Sequence, residues 1–232
     1  MPGVKKALTC LRRWTCLLVL AFCGAYLAFR LTQHSSWYKG RLYHRLLCGD
    51  AAQQLRAASA LAYLGAQDQL LAGLKSDVPS VRELARRGLE YVWFSSAGSG
   101  AYHLVEAAYQ ATEAADYPKA LKLLNQLTEQ HPRFAEGFNR RAAVYWKLGD
   151  YEKSIADSQT ALALNPNHYG AWQGLGLCRL QLGEVAAACR CLRAALEIVP
   201  YDEGTRSCLT KCEDLLRALP KAVSRAKTSD LI

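Results

Sequence analysis

From residue 101 to residue 202 the apolar positions come in pairs of helical patterns. Each pair is an apolar run at 3.6-residue spacing, a short break, and a second such run that ends before a proline. The breaks are Ala115-Asp116-Tyr117, Gly149-Asp150-Tyr151 and Gly183-Glu184-Val185. The prolines stand at Pro132, Pro166 and Pro200, where a ring without an N–H cannot continue a helix. They are evenly spaced and divide this stretch into three blocks, Ala101–Phe134, Ala135–His168 and Tyr169–Asp202. Each block predicts two short antiparallel helices joined by a tight turn.

Within the blocks, bulky Phe138 and Trp172 face small Ala108, Ala142 and Gly176. Tyr145, small Ala120, Ser154 and Ala188, and the pair Ala161 and Ala195 complete the pattern. Small residues at such places let neighbouring helices approach closely. This closely resembles the tetratricopeptide repeat, whose period is 34 residues. The resemblance covers 101–202 and implies an all-α protein, a right-handed α-solenoid of helix-turn-helix repeats. The first block departs from the pattern, with Leu104 in place of the bulky aromatic and Leu127 in place of the small residue. Residues 203–219 predict one more amphipathic helix, with Leu209, Leu215, Leu216 and Leu219 on one side, suited to cap the last repeat. A basic tail, 220–232, is expected after it.

Residues 50–94 repeat differently. Ala57-x-x-Ala60-Leu61-x-x-Leu64-Gly65 recurs as Ala85-x-x-Gly88-Leu89-x-x-Val92-Trp93, and Asp77-Val78-Pro79-Ser80-Val81-Arg82 precedes the second copy. This resembles a short HEAT-like repeat; the other reading is three generic helices that cap the solenoid from its N-terminal side. A Gly/Ser joint at 95–100 follows. Residues 32–49 are expected as a juxtamembrane linker, helical from Trp37 to Cys48.

The N-terminal segment changes the picture. Residues 14–29 carry no charge, enough for about 24 Å of helix against a roughly 30 Å hydrocarbon core. Arg13 and Arg30 bracket them and can reach the headgroups. Residues 1–31 are therefore read as a basic start and an uncleaved transmembrane anchor at about 14–31; a cleaved signal and an amphipathic targeting segment stay open. The expected localisation is a single-pass membrane protein, but Lys5, Lys6, Arg12 and Arg13 before the span are matched by Arg30, Lys39, Arg41 and Arg45 after it. The charges therefore do not set which side the repeats face.

The net charge of +9 is uneven: +8 over 1–100, −1 over 101–219 and +2 over 220–232. The repeat body lacks the positive surplus that a phosphate-tracking groove needs, so no nucleic-acid partner is expected. Chemistry is sparse too. The chain has no phosphate-binding Gly-rich loop and no Gly-x-Ser-x-Gly elbow. Cys189 and Cys191 lie about 200° apart on one helix, so they cannot face one ion together with Cys208 and Cys212; small core thiols are the simpler reading. His131 and His168 at the proline turns are expected in solvent, and His103 partly buried. No catalytic residue, metal, cofactor or small-molecule substrate is expected.

What remains is a surface. The resemblance implies that the first helix of each block lines a concave groove that takes extended or helical peptides. It places Tyr102, Val105, Glu106 and Tyr109 there from the first block, Asn139, Arg140 and Trp146 from the second, and Gln173 from the third. Aromatic rings supply contact area and Asn139 can pair with a peptide backbone; alternatively Trp146 and the tyrosines cover contacts between helices. The clamp that related proteins use for acidic chaperone tails needs Lys, Asn, Lys and Arg where this chain has Val105, Tyr109, Gly170 and Gly174. The expected function is a non-catalytic, membrane-anchored scaffold or assembly factor that binds a partner protein or peptide. The alternative is an accessory or regulatory subunit of a larger enzyme complex.

Overall fold

The computed structural model describes residues 35–229, together with 22–24, 26 and 32. The described elements are all helices: α1 Ser36–Cys48, α2 Ala51–Tyr63, α3 Gln67–Gly73 and α4 Pro79–Ser95 form an N-terminal block. Then come α5 Ser99–Glu113, α6 Tyr117–Gln130, α7 Ala135–Leu148, α8 Tyr151–Leu164, α9 Tyr169–Gln181 and α10 Val185–Ile198 as three hairpins, and α11 Glu203–Ser229. The anchor expected at 14–31 falls almost wholly outside the described residues, among which no helix is long and apolar enough to cross a membrane. The last helix runs to Ser229 rather than ending at 219. The stretch expected as a tail is rich in Ala, Lys and Arg, good helix formers that extend a helix already begun.

Local chemistry explains where the hairpins turn. Asp116 and Asp150 accept the backbone N–H groups of Lys119 and Lys153, satisfying orphan donors at the starts of α6 and α8. Gly149 and Gly183 end α7 and follow α9 with φ of +77°. The first hairpin has Ala115 in that role at φ +57°, where a Cβ crowds the following carbonyl. Ala115→Gly is expected to stabilise the protein by about 1 kcal/mol. Urea titration checks it, and no upward shift of the midpoint would mean the turn relaxes around the alanine.

The departure at Leu127 has a packing answer. Leu127 is fully buried at the place where the later repeats carry Ala161 and Ala195, and it meets Gly137 on the next helix, where an added Cβ would stand 3.3 Å from Leu127 Cδ2. The large residue on α6 is matched by a missing side chain on α7, so the two hairpins still close. Arg141 ties the same hairpins together. Its guanidinium binds both oxygens of Asp157, at 2.7 and 2.8 Å, and donates to Asn125 Oδ1 and Thr128 Oγ1 on α6.

The N-terminal block has its own core of Leu46, Leu61, Leu70, Leu74, Val81, Leu89 and Trp93. The stretch expected as a linker is α1, and it buries Leu42 and Leu46 in that core. Ser80 near the start of α4 donates to Gln54 near the start of α2, and Trp93 near its end donates to Gln67 just beyond the end of α2, so the two helices run side by side in the same direction. The block meets the first hairpin through Phe94, which packs beside Phe134 in that hairpin's core, and it reaches the third hairpin as well. Tyr169, Ile198 and Val199, all from the third hairpin, pack against its core. α4 lies across the starts of α7 and α9.

Candidate partner-binding groove

On α5 the candidate groove residues Tyr102, Val105, Glu106 and Tyr109 sit at i, i+3, i+4 and i+7, one helix face; on α7 Asn139 and Trp146 are seven apart with Arg140 beside Asn139, and α9 contributes Gln173 alone. Their surroundings differ. Tyr102, Glu106, Tyr109 and Trp146 are exposed, while Asn139, Arg140 and Gln173 are half-buried. Val105 does not belong to the groove. It is 5% exposed and packs with Ala101, Ala108 and Leu124 in the core of the first hairpin, as an apolar β-branched side chain does when its helix rolls inward.

Two of the half-buried residues lie beside α4. The Arg140 guanidinium lies 5.2 Å from the centre of the Phe94 ring on α4, and 5.8 Å from that of Tyr109. Gln173 shares a depression of about 350 Å³ with Arg82, Glu83 and Arg86 of α4 and with Tyr169 and Tyr201. The rest of this seam is aromatic and polar. Trp93 stacks on His168 with ring centres 4.8 Å apart, and Tyr169 tilts against the same indole at 5.6 Å. Arg82 sits 4.2 Å over the Tyr201 ring, whose hydroxyl donates to Asp77 at 2.5 Å. Burial, reinforced by the Glu90 carboxylate, pushes the Tyr169 hydroxyl up to about 12.

Beneath Trp93 lies a buried carboxylate of the repeats. Glu136, at the start of α7, receives His168 Nε2 at 2.7 Å on one oxygen, and Arg140 Nε stands 2.7 Å from the other. The Arg140 contact is close enough for charge pairing but poorly aligned for a hydrogen bond. His168 Nδ1 accepts the Ala171 N–H as the cap of α9, so its hydrogen is on Nε2 and is donated to Glu136. Burial alone would raise the Glu136 carboxyl. The His168 hydrogen bond and the Arg140 charge outweigh it and hold the group below the usual carboxylate range.

The three histidines all depart from the sequence expectation, His131 being half-buried rather than in solvent. His168 is 3% exposed rather than solvated, because it caps α9 and bonds Glu136 under an indole. His103 is exposed beside Tyr102. Among the described residues no cluster of three or more His, Cys, Asp and Glu could hold a metal ion. Cys189 packs with Cys212 between α10 and α11, and Cys191 belongs to a different apolar cluster with Leu175. Burial and the neighbouring thiols push Cys212 up to about 11, which leaves it a thiol rather than a nucleophilic thiolate near neutrality. Glu136 lies at no position that the repeat pattern marks, and Trp93 stood out in the sequence only as the end of the second copy of the 57–65 pattern, with no functional signal.

Comparison with known proteins agrees with the hairpin geometry. A family model described as a tetratricopeptide repeat matches residues 105–159 and 139–203. A TPR repeat-containing protein of Rhizobium etli is 29% identical over 58% of this chain and 67% of its own length. Anaphase-promoting complex subunit 3 of Schizosaccharomyces pombe is 29% identical over 45% of this chain, but that match spans only 16% of the relative. The first TPR of Spaghetti (RPAP3), solved bound to the HSP90 peptide SRMEEVD, shares the fold over 50% of this chain and 93% of its own, at 22% identity and a TM-score of 0.50.

Proposed function

We propose that this protein, which matches a tetratricopeptide-repeat family model over residues 105–159 and 139–203, is a non-catalytic scaffold that binds a partner protein segment on the concave side of its hairpins. The observation that carries this is α4 itself. The side of the hairpins where Arg140 and Gln173 lie already accepts a helix of the same chain, through Phe94, Arg82 and Arg86. The part left open, with Glu106, Tyr109 and Trp146, supplies two rings and a carboxylate for a second segment. The uncharged stretch 14–29, bracketed by Arg13 and Arg30, would hold the scaffold at a membrane. Docking as an accessory subunit on a larger enzyme is the second form of the same role.

The test is affinity purification of the full chain from its own membranes with mass spectrometry, beside a Tyr109→Ala/Trp146→Ala variant that keeps its helical circular dichroism. Loss of a partner from the folded variant is the expected result. An unchanged partner list would sink the concave reading, and a catalytic protein among the lost partners would favour the accessory-subunit form.

The chaperone-tail ligand of the Spaghetti module is not the segment expected here. Val105 is buried, Tyr109, Gly170 and Gly174 bring no charge, and Arg140 is engaged by Glu136. A fluorescent SRMEEVD peptide is expected to show no saturable anisotropy change at concentrations that saturate the Spaghetti module. Saturable binding would return acidic tails to consideration.

A further inference from the structure

Outside the repeats, α2 and α4 leave an open slot between them, floored by residues of the N-terminal core. Its floor is small and buried, with Ala58 and Ala62, and its walls are large: Leu55 and Tyr63 on α2, Leu84 and Tyr91 on α4. The slot holds about 420 Å³. Tyr63 is 73% exposed, and Leu55 and Tyr91 are each 55% exposed, which is unusual for three large side chains lining one surface. Tyr91 also borders a second apolar depression of about 370 Å³, with Phe94 and Tyr102, so the apolar surface continues towards the first hairpin.

The shape fits a helix. The wall and floor residues recur at i, i+3, i+4 and i+7 on two side-by-side helices, a groove with one straight axis. The stretch from Leu55 to Tyr63 runs about 12 Å, some two turns of a third helix. No strand occurs among the described residues to offer an edge for an extended segment.

Charge selects the kind of helix. Arg87 is the only charged residue lining the slot, and its guanidinium is engaged only through Nε, to Glu83. Arg56, next to Leu55 on α2, is exposed and enters none of the ion pairs among the described residues. The chain's own apolar stretch is a poor match. It is bracketed by Arg13 and Arg30, and Phe22 and Tyr26 within it stand exposed. We propose that the slot between α2 and α4 docks an amphipathic helix of a partner protein, with apolar residues in the slot and acidic residues beside Arg87 and Arg56. This site is separate from the concave groove and does not depend on the reading of that groove.

A phage-displayed library of 18-residue amphipathic helices, selected on the full chain in detergent micelles, tests it. Enriched peptides should carry apolar residues at i, i+3, i+4 and i+7 with an excess of Asp and Glu on the flanks. Their affinity should fall about tenfold or more in Tyr63→Asp/Tyr91→Asp and in Arg87→Glu. Tyr63→Phe/Tyr91→Phe should retain it, and so should Tyr109→Ala/Trp146→Ala, which separates this slot from the concave groove. The tyrosines are exposed, and unchanged circular dichroism of the Asp pair confirms its fold. Any of four results would overturn the proposal. These are selected peptides blind to the Asp pair, basic rather than acidic flanks, displacement by a peptide of residues 14–29, and phosphatidylserine vesicles as the ligand whose binding the Asp pair abolishes.

Discussion

Replacing Trp93 with alanine is expected to lower stability by about 3–5 kcal/mol and to loosen the N-terminal block from the repeats. The side chain is 8% exposed and belongs to the core of the block, yet its ring stacks on His168 and meets Tyr169, both at the start of α9. Its Nε1 donates to Gln67, so truncation removes apolar burial, a stack and a hydrogen bond together. Trp93→Phe keeps most of the area and part of the stack and is expected to cost well under half as much. Guanidinium unfolding gives the magnitude, and hydrogen exchange gives the location. Amides of α1–α4 and of the first turn of α9 should lose protection together. A loss below about 1 kcal/mol, with exchange unchanged at α9, would mean that the seam is held by the Tyr201–Asp77 and Arg82 contacts instead.

The same seam marks the boundary of what could be read from the sequence. The hairpins were legible because each repeats one packing problem, and the residues that solve it return at fixed places: an Asp or Glu in the turn, a small residue under a large one, a proline after the second helix. Even the irregular Leu127 was visible as a departure, although Gly137, which absorbs its bulk, was not recognisable as its partner. Val105 was misplaced for a related reason. Repeat position gives the average direction of a side chain, whereas the roll of α5 decides whether a valine there meets water or Leu124. The docking of α4 had no local signal. Trp93 and His168 are far apart in the chain, and each is unremarkable where it stands: an aromatic at the end of an amphipathic helix, and a histidine after a proline turn. Only the fold brings them to 4.8 Å. Repeat position alone therefore could not show that Arg140 stands over Phe94 of the chain's own helix, or that Gln173 borders a depression beside it.

Glu136 links that seam to acidity. Glu136→Ala should cost about 3–5 kcal/mol, because it leaves the His168 Nε2–H without its acceptor and the Arg140 Nε, buried from solvent, without its counter-charge. The wild-type protein should show part of this loss on acidification. The carboxyl is held below its ordinary value of 4.5 when folded, so its contribution is complete above that pH and disappears as the pH falls through the depressed folded value. Unfolding free energy measured from pH 6 downwards should therefore decline in the wild type, with a shallower decline in Glu136→Gln, which keeps an acceptor for His168 but has no proton to gain. Equal slopes in the two proteins would place the acid sensitivity in other carboxylates, such as Glu83, which its hydrogen bonds to Arg86 and Arg87 hold low. A His168→Gln/Glu136→Gln cycle distinguishes the pair from its parts, because only a direct contact gives a coupling between the two substitutions. Trp93 covers this pair, so loss of the Glu136 charge should also raise hydrogen exchange in α4, and a change confined to α7 and α9 would show that the indole does not sense the pair beneath it.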